Sequence, residues 1–143
     1  MPILNYTTKV DVYTTLGAIQ SILVKHGARK IVQDYDSAGH ICALSFLIDT
    51  PSGVRGVRLP ANASAVFAVL QEQKVRCDRA QAERVAWRII KDWLEAQMAI
   101  LEAGMVQVDE IFLPYMLDSG GEHTFFEAYR NNMLALKGAA EVR

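Results

Sequence analysis

Nothing in this chain spells a known catalytic motif. There is no GxGxxG opening a helix, no Walker loop, no HExxH, no GxSxG and no zinc-ligand spacing. Dinucleotide fingerprints, P-loop chemistry, zincin-type hydrolysis and a nucleophile elbow all lose their warrant. Cysteine is scarce. Cys42 lies inside an apolar run and Cys77 beside charged residues, in no CxxC or ligand cluster. Two isolated thiols suit a reducing compartment better than a disulfide framework, and no metal or cofactor is expected. No run is long and apolar enough to cross a bilayer. The opening MPILNYTTKV lacks the basic start and apolar core of a signal peptide. The expectation is a soluble protein of the cytoplasm with no membrane partner. A dominant charge sign is missing too. Fifteen basic and sixteen acidic residues leave −1, so overall charge selects no polyanionic partner. Repeats and low-complexity segments are absent.

What is present is an ordinary globular balance. The 143 residues are 51% apolar and 22% charged, enough for one domain with a real core. Residues 1–136 are expected to form that domain, and residues 137–143 a flexible tail. The longest helical pattern runs from Asp78 to Gly104. Ala82, Val85, Ala86, Ile89, Ile90, Trp93, Leu94 and Leu101 recur at three- and four-residue steps, the period of one helical face. Asp78 is the expected N-cap and Gly104 the expected stop. At about 37 Å such a helix crosses the whole body. Its other face carries Arg84, Arg88, Lys91 and Glu95 as a solvent-side stripe, with Arg88–Asp92 and Lys91–Glu95 as i,i+4 ion pairs.

Ile3–Val10, rich in Thr and Tyr, reads as a short strand. Asp11 then caps a helix whose stripe is Val12, Leu16, Ile19 and Leu23. Arg29–Asp36, His40–Asp49 and Val54–Leu59 read as three strands. The turns Asp36–Gly39 and Thr50–Gly53 between them are short, which makes an antiparallel meander. Asn62 caps a helix to about Gln73. Met105–Leu117 is read first as a short helix capped by Asp109 and stopped near Pro114, second as a strand. Thr124-Phe-Phe-Glu127 matches a capping box that starts a last helix ending by Leu136. The fold class is therefore α+β: a small antiparallel sheet of three to four strands packed by helices, one of them long, with a helical C-terminal tail.

Charge is unevenly placed. Residues 1–77 hold eight basic and five acidic residues, whereas residues 78–143 hold seven and eleven. Between Gly53 and Lys91 the basic residues Arg55, Arg58, Lys74, Arg76, Arg79, Arg84, Arg88 and Lys91 face only Glu72, Asp78 and Glu83, a balance of +5. That run is the candidate phosphate or nucleic-acid footprint; the competing reading is a solvated helix face with internal pairing. Gly53-Val-Arg-Gly56 has the letters of a backbone-clamping GxxG loop but leads into a strand, so it is read as chance. Phe112, Tyr115, Phe125, Phe126 and Tyr129 cluster in sequence. They suit core and helix docking, or a partner interface carried by Phe112, Tyr115, Phe125 and Phe126. His26, His40 and His123 read as polar surface residues. A carboxylate enzyme site using Asp34, Asp36 or Asp49 has no supporting spacing, and no catalytic residue is assigned.

The runs NYTTKV, TLGAIQSILVKHGA and ALSFLIDTPSGVRGVRLPAN, followed by RVAWRIIKDWLEAQMAILEAGM and IFLPYML, resemble a family of small proteins encoded by bacteriophages, prophages and other mobile elements. The resemblance covers roughly Leu4 to Leu117. Its most specific pieces are Arg58-Leu-Pro-Ala-Asn62, Arg84-Val-Ala-Trp-Arg88 and Asp92-Trp-Leu-Glu-Ala-Gln97. It implies a setting, an accessory protein in a bacterial host cell, and no residue's role. The expected function is binding without catalysis, with nucleic acid or a nucleotide as partner. The alternative is a protein–protein module that inhibits a host factor, such as a defence protein. Self-association into a homo-oligomer is a further candidate.

Overall fold

The computed structural model describes residues 1–131. Helix α1 spans Val12–Lys25, and Asp11 caps it by accepting from the Tyr13 N–H at 3.0 Å. Its buried stripe is Val12, Thr15, Leu16, Ile19 and Leu23. Gly27, at φ +96°, turns the chain into β1 (Ala28–Tyr35). β2 (Ile41–Thr50) and β3 (Gly53–Pro60) complete a three-stranded antiparallel sheet in the order β1-β2-β3. The β1–β2 ladder slips between Arg29 and Val32, where Lys30 takes φ +51°, and again between Asp34 and Tyr35. The β2–β3 ladder is regular, setting Leu44 against Leu59 and Phe46 against Val57.

Helix α2 (Ala63–Glu72) starts at the Asn62 cap, and α3 (Arg79–Glu102) at the Asp78 cap. The long helix ends in a Schellman motif. The Gly104 N–H donates to Leu101 O at 3.0 Å, the Met105 N–H donates to Ile100 O at 3.2 Å, and Gly104 sits at φ +75°. α3 packs against both α1 and α2. Its inward residues Ala86, Trp87, Leu94 and Met98 join Leu16, Ile19 and Leu23 of α1 over Leu44, Phe46, Ile48, Val57 and Leu59 of the sheet. This is the core. The two helices bury their apolar stripes because each meets the same alternating sheet face.

Three local expectations are corrected. The segment expected as a strand over Ile3–Val10 is a turn at residues 4–7, with Asn5 at φ +65°. A strand needs a ladder partner, and this segment lies against helices instead. The Ile3 N–H donates to Gln73 Oε1 at 2.9 Å, and Gln81 Nε2 donates to Tyr6 O and Thr8 O at 3.0 and 2.8 Å. The same covering segment removes the Arg88–Asp92 pair, because Asp92 accepts from Asn5 Nδ2 at 2.7 Å. The basic stripe is not fully solvent-side, since Arg84, Arg88 and Lys91 are half-buried, while the Lys91–Glu95 pair forms at 2.6 Å. Finally, α4 (Val108–Phe112) starts at Gln107 rather than Asp109, with Glu110 accepting from the Gln107 N–H at 3.1 Å. Asp109 falls inside the first turn.

A 3-10 turn, Leu113–Tyr115, carries Pro114 at its start, where the missing N–H costs nothing. Met116 then bridges to Val57, and Leu117 to Thr124. The capping box at Thr124 opens α5 (Phe125–Arg130). The remainder of the helix expected to Leu136, and the tail expected from residue 137, lie outside the described residues.

Candidate ligand-binding cleft

The run Arg58-Leu-Pro-Ala-Asn62 leaves the sheet and enters α2. Leu59 and Ala61 are buried, while Arg58, Pro60 and Asn62 are exposed. This is the alternation of a strand edge, with every second residue on one side. The Ala61 N–H still donates to Cys42 O at 2.9 Å, so the alternation persists past the end of β3. Asn62 Oδ1 accepts from the Ala65 N–H at 3.0 Å as the helix cap. Its amide NH2 is left as a donor.

Arg58, Pro60 and Asn62 line two cavities at once. The first, about 350 Å³, is completed by Arg79 from the first turn of α3, by Ser64 of α2, and by His40, Asp36 and Glu83. The second, about 550 Å³, is completed by Tyr115, Thr124, Phe126, Glu127 and Arg130. Three guanidinium groups and three carboxylates therefore border one continuous set of residues.

The two signs are not equally available. Asp36 Oδ1 accepts from the N–H groups of Ala38 and His40, both at 2.9 Å, closing the β1–β2 turn. Those bonds, the His40 N–H first, hold the Asp36 carboxyl below its ordinary value. Glu83 Oε1 lies 2.8 Å from His40 Nδ1. Glu127 accepts from the Thr124 N–H at 2.9 Å in the capping box. That bond is the main reason its carboxyl titrates below the usual range; burial opposes it, and the charges of His123 and Arg58 assist. Each acid thus has a local partner. Among the described residues, Arg58, Arg79 and Arg130 form no ion pair. Arg79 rests over the Phe67 ring and Arg130 over the Phe126 ring, each at 5.8 Å from the centroid. A ring beneath the guanidinium fixes its plane and leaves its N–H edge free to donate.

Of the eight basic residues singled out in the sequence, the fold brings Arg58 and Arg79 to one cavity. Arg55 folds back on its own hairpin, donating to Ser52 O at 2.8 Å. Lys74 and Arg76 are exposed in the link between α2 and α3. Arg84 donates to Gln81 Oε1 through Nε and Nη2 at 2.9 and 2.6 Å. Arg88 is half-buried on α3, and Lys91 is taken by Glu95. The other six do not line that cavity. Arg130, His40, Asn62 and Ser64 belong to the cleft and were not singled out as site residues. The spacing 58, 60, 62 along an extended run was the available signal for Asn62. Arg130 shares a helical face with Phe126 and Glu127 at i+4 and i+3, but nothing local ties that face to Arg58.

The aromatic residues divide. Phe112 is 0% exposed, packed edge-on against Phe46 at 5.5 Å and Trp93 at 6.3 Å, and is core rather than surface. Tyr115 is half-buried against Trp93 at 5.7 Å. Phe125 and Phe126 are exposed, with Leu113 and Tyr129 exposed on neighbouring turns. The candidate catalytic acids each have a different partner: Asp34 accepts from Ser45 Oγ at 2.8 Å, Asp49 pairs with Arg29 at 2.7 Å, and Asp36 serves its turn. Among the described residues no group of three His, Cys, Asp or Glu side chains could hold a metal ion. No described helix is long and apolar enough to cross a membrane. Comparison with protein-family models, curated proteins and solved structures finds no match.

Proposed function

We propose that the protein acts by binding a phosphate-bearing ligand, a nucleotide or nucleic acid, in the cleft around Arg58, and that it serves as an accessory protein of a phage or mobile element in the bacterial cytoplasm. The observation that carries this reading is the asymmetry of the cleft charges. Its carboxylates each have a hydrogen-bond or ion-pair partner nearby, whereas Arg58 and Arg79 line one cavity and, among the described residues, form no ion pair, although the charge of Arg58 reaches Glu127. A guanidinium presents a planar fork that matches two phosphate oxygens, and Ser64 and the Asn62 amide offer further donors. On this reading the protein binds its ligand without turning it over.

The test is a filter-binding titration of nucleotides and of single- and double-stranded nucleic acid at low and high salt. Phosphate contacts require affinity to fall as salt rises. Affinity that is insensitive to salt, or absent for every phosphate ligand, overturns the reading.

A protein–protein role has one observation of its own. Leu113, Phe125, Phe126 and Tyr129 expose apolar surface at one end of the fold. On that reading a host protein or a second copy of the chain covers this end. Sedimentation of the purified protein, alone and with host lysate fractions, checks it: a monomer that captures nothing removes the case.

A further inference from the structure

Beside the cavity that Arg58 shares with Arg79 lies a second one, with room for the group that a phosphate carries. The two cavities share Arg58, Pro60 and Asn62 but differ in their walls. The first is walled by arginine, histidine, serine and short polar groups. The second adds the rings of Tyr115 and Phe126, with the Arg130 guanidinium lying over Phe126. Phe126 is 49% exposed although it occupies the first turn of a helix whose Ala128 is buried. The half-exposed Phe126 ring, with the Arg130 guanidinium 5.8 Å from its centroid and Tyr129 at 6.2 Å, borders a cavity of about 550 Å³.

Resting on the phosphate reading, we infer that this second cavity is a base subsite: a nucleobase stacks on the Phe126–Arg130 pair while its phosphate reaches Arg58 and Arg79. Aromatic rings and guanidinium planes are the two surfaces on which unpaired bases stack in proteins that bind single strands. The polar fringe completes the match. Glu127 uses one carboxylate oxygen on the Thr124 N–H, and its second oxygen is an acceptor for an exocyclic amino group. Bases of a duplex hide their faces in the stack, so the ligand is a nucleoside monophosphate unit, either free or within a single strand. A duplex offers phosphate but no open base, and can satisfy only the first cavity.

Calorimetric titrations of the whole protein with inorganic phosphate, ribose 5-phosphate, the four nucleoside monophosphates, a short single strand and its duplex separate the cases. The nucleotides should bind roughly 5- to 100-fold more tightly than ribose 5-phosphate, the increment that stacking one base supplies. Phe126→Ala should remove that increment and leave ribose 5-phosphate binding unchanged, and Phe126→Trp should restore it. Tighter binding of the single strand than of mononucleotides identifies a strand as the source, and equal binding a free nucleotide. Equal affinity for ribose 5-phosphate and nucleotides, or a duplex preferred over the single strand, overturns the base subsite while leaving the phosphate reading intact. Failure of all phosphate compounds to bind overturns both. Because Phe126 is exposed, its variants should keep the wild-type melting temperature, so a lost increment reports on the ligand.

Discussion

Thr15 sits in the apolar stripe of α1 with its hydroxyl buried and, among the described residues, without a hydrogen-bond partner. An unmet buried hydroxyl costs more than the matching methyl. Thr15→Val, nearly the same shape, should therefore raise stability by about 1 kcal/mol in a denaturant melt. A loss of that size would mean that the hydroxyl has a partner. Glu127 gives a pH dependence at the same scale. Its folded carboxyl titrates below the ordinary glutamate value, chiefly because the Thr124 N–H prefers the ionised form. The unfolded chain binds the proton more readily, so Glu127 stabilises α5 fully above the ordinary value. That contribution disappears as pH falls through the lowered folded value. The melting temperature should drop across that acid window, and Glu127→Gln should flatten this part of the profile. A profile unchanged by the substitution contradicts the assignment.

The elements were legible where their signals are local. Asp11, Asn62, Asp78 and Thr124 cap their helices at the positions their side chains suggest. The strands with short turns between them form the meander. The same logic predicts that Gly104→Ala costs about 1 kcal/mol, because a Cβ is strained at positive φ, and that Trp87→Ala, at a residue 1% exposed, costs about 3–5 kcal/mol. Chemical denaturation measures both, and equal effects would remove Trp87 from the centre of the core. What was not legible depends on partners far along the chain. Alternation over Ile3–Val10 describes a segment able to be a strand, not whether a sheet edge is open to it. The spacing of Arg88 and Asp92 says that the two can meet, and cannot say that Asn5, 87 residues away, takes the carboxylate first. The end of α4 was legible in Pro114, but its start was not, since Gln107 and Asp109 are both able to cap.

At the scale of the whole molecule, α3 is the scaffold that the sequence pattern describes, and the cleft lies at its N-terminal end, where Arg79 meets Arg58 from the sheet. The charge run of Gly53–Lys91 pointed to this end of the molecule, and of its eight basic residues Arg58 and Arg79 line the first cavity. Clustering in sequence is not clustering in space: Arg55 turns back on its hairpin and Arg84 onto Gln81. Arg130 arrives by the return of the chain through Met116 and the Thr124 cap, a route no local pattern encodes. On the proposed function, Arg58 and Arg79 act on phosphate through their place in the cleft, not through net charge. Arg55→Ala removes the same charge outside the cleft and is the matched control. The decisive measurement is the salt-dependent affinity of a single strand for the wild type, Arg58→Ala, Arg79→Ala and Arg55→Ala. Each cleft variant should weaken binding about tenfold or more and lower the slope of log affinity against log salt by about 0.7. Arg55→Ala should match the wild type. Equal losses in all three variants, or none in any, would contradict the account.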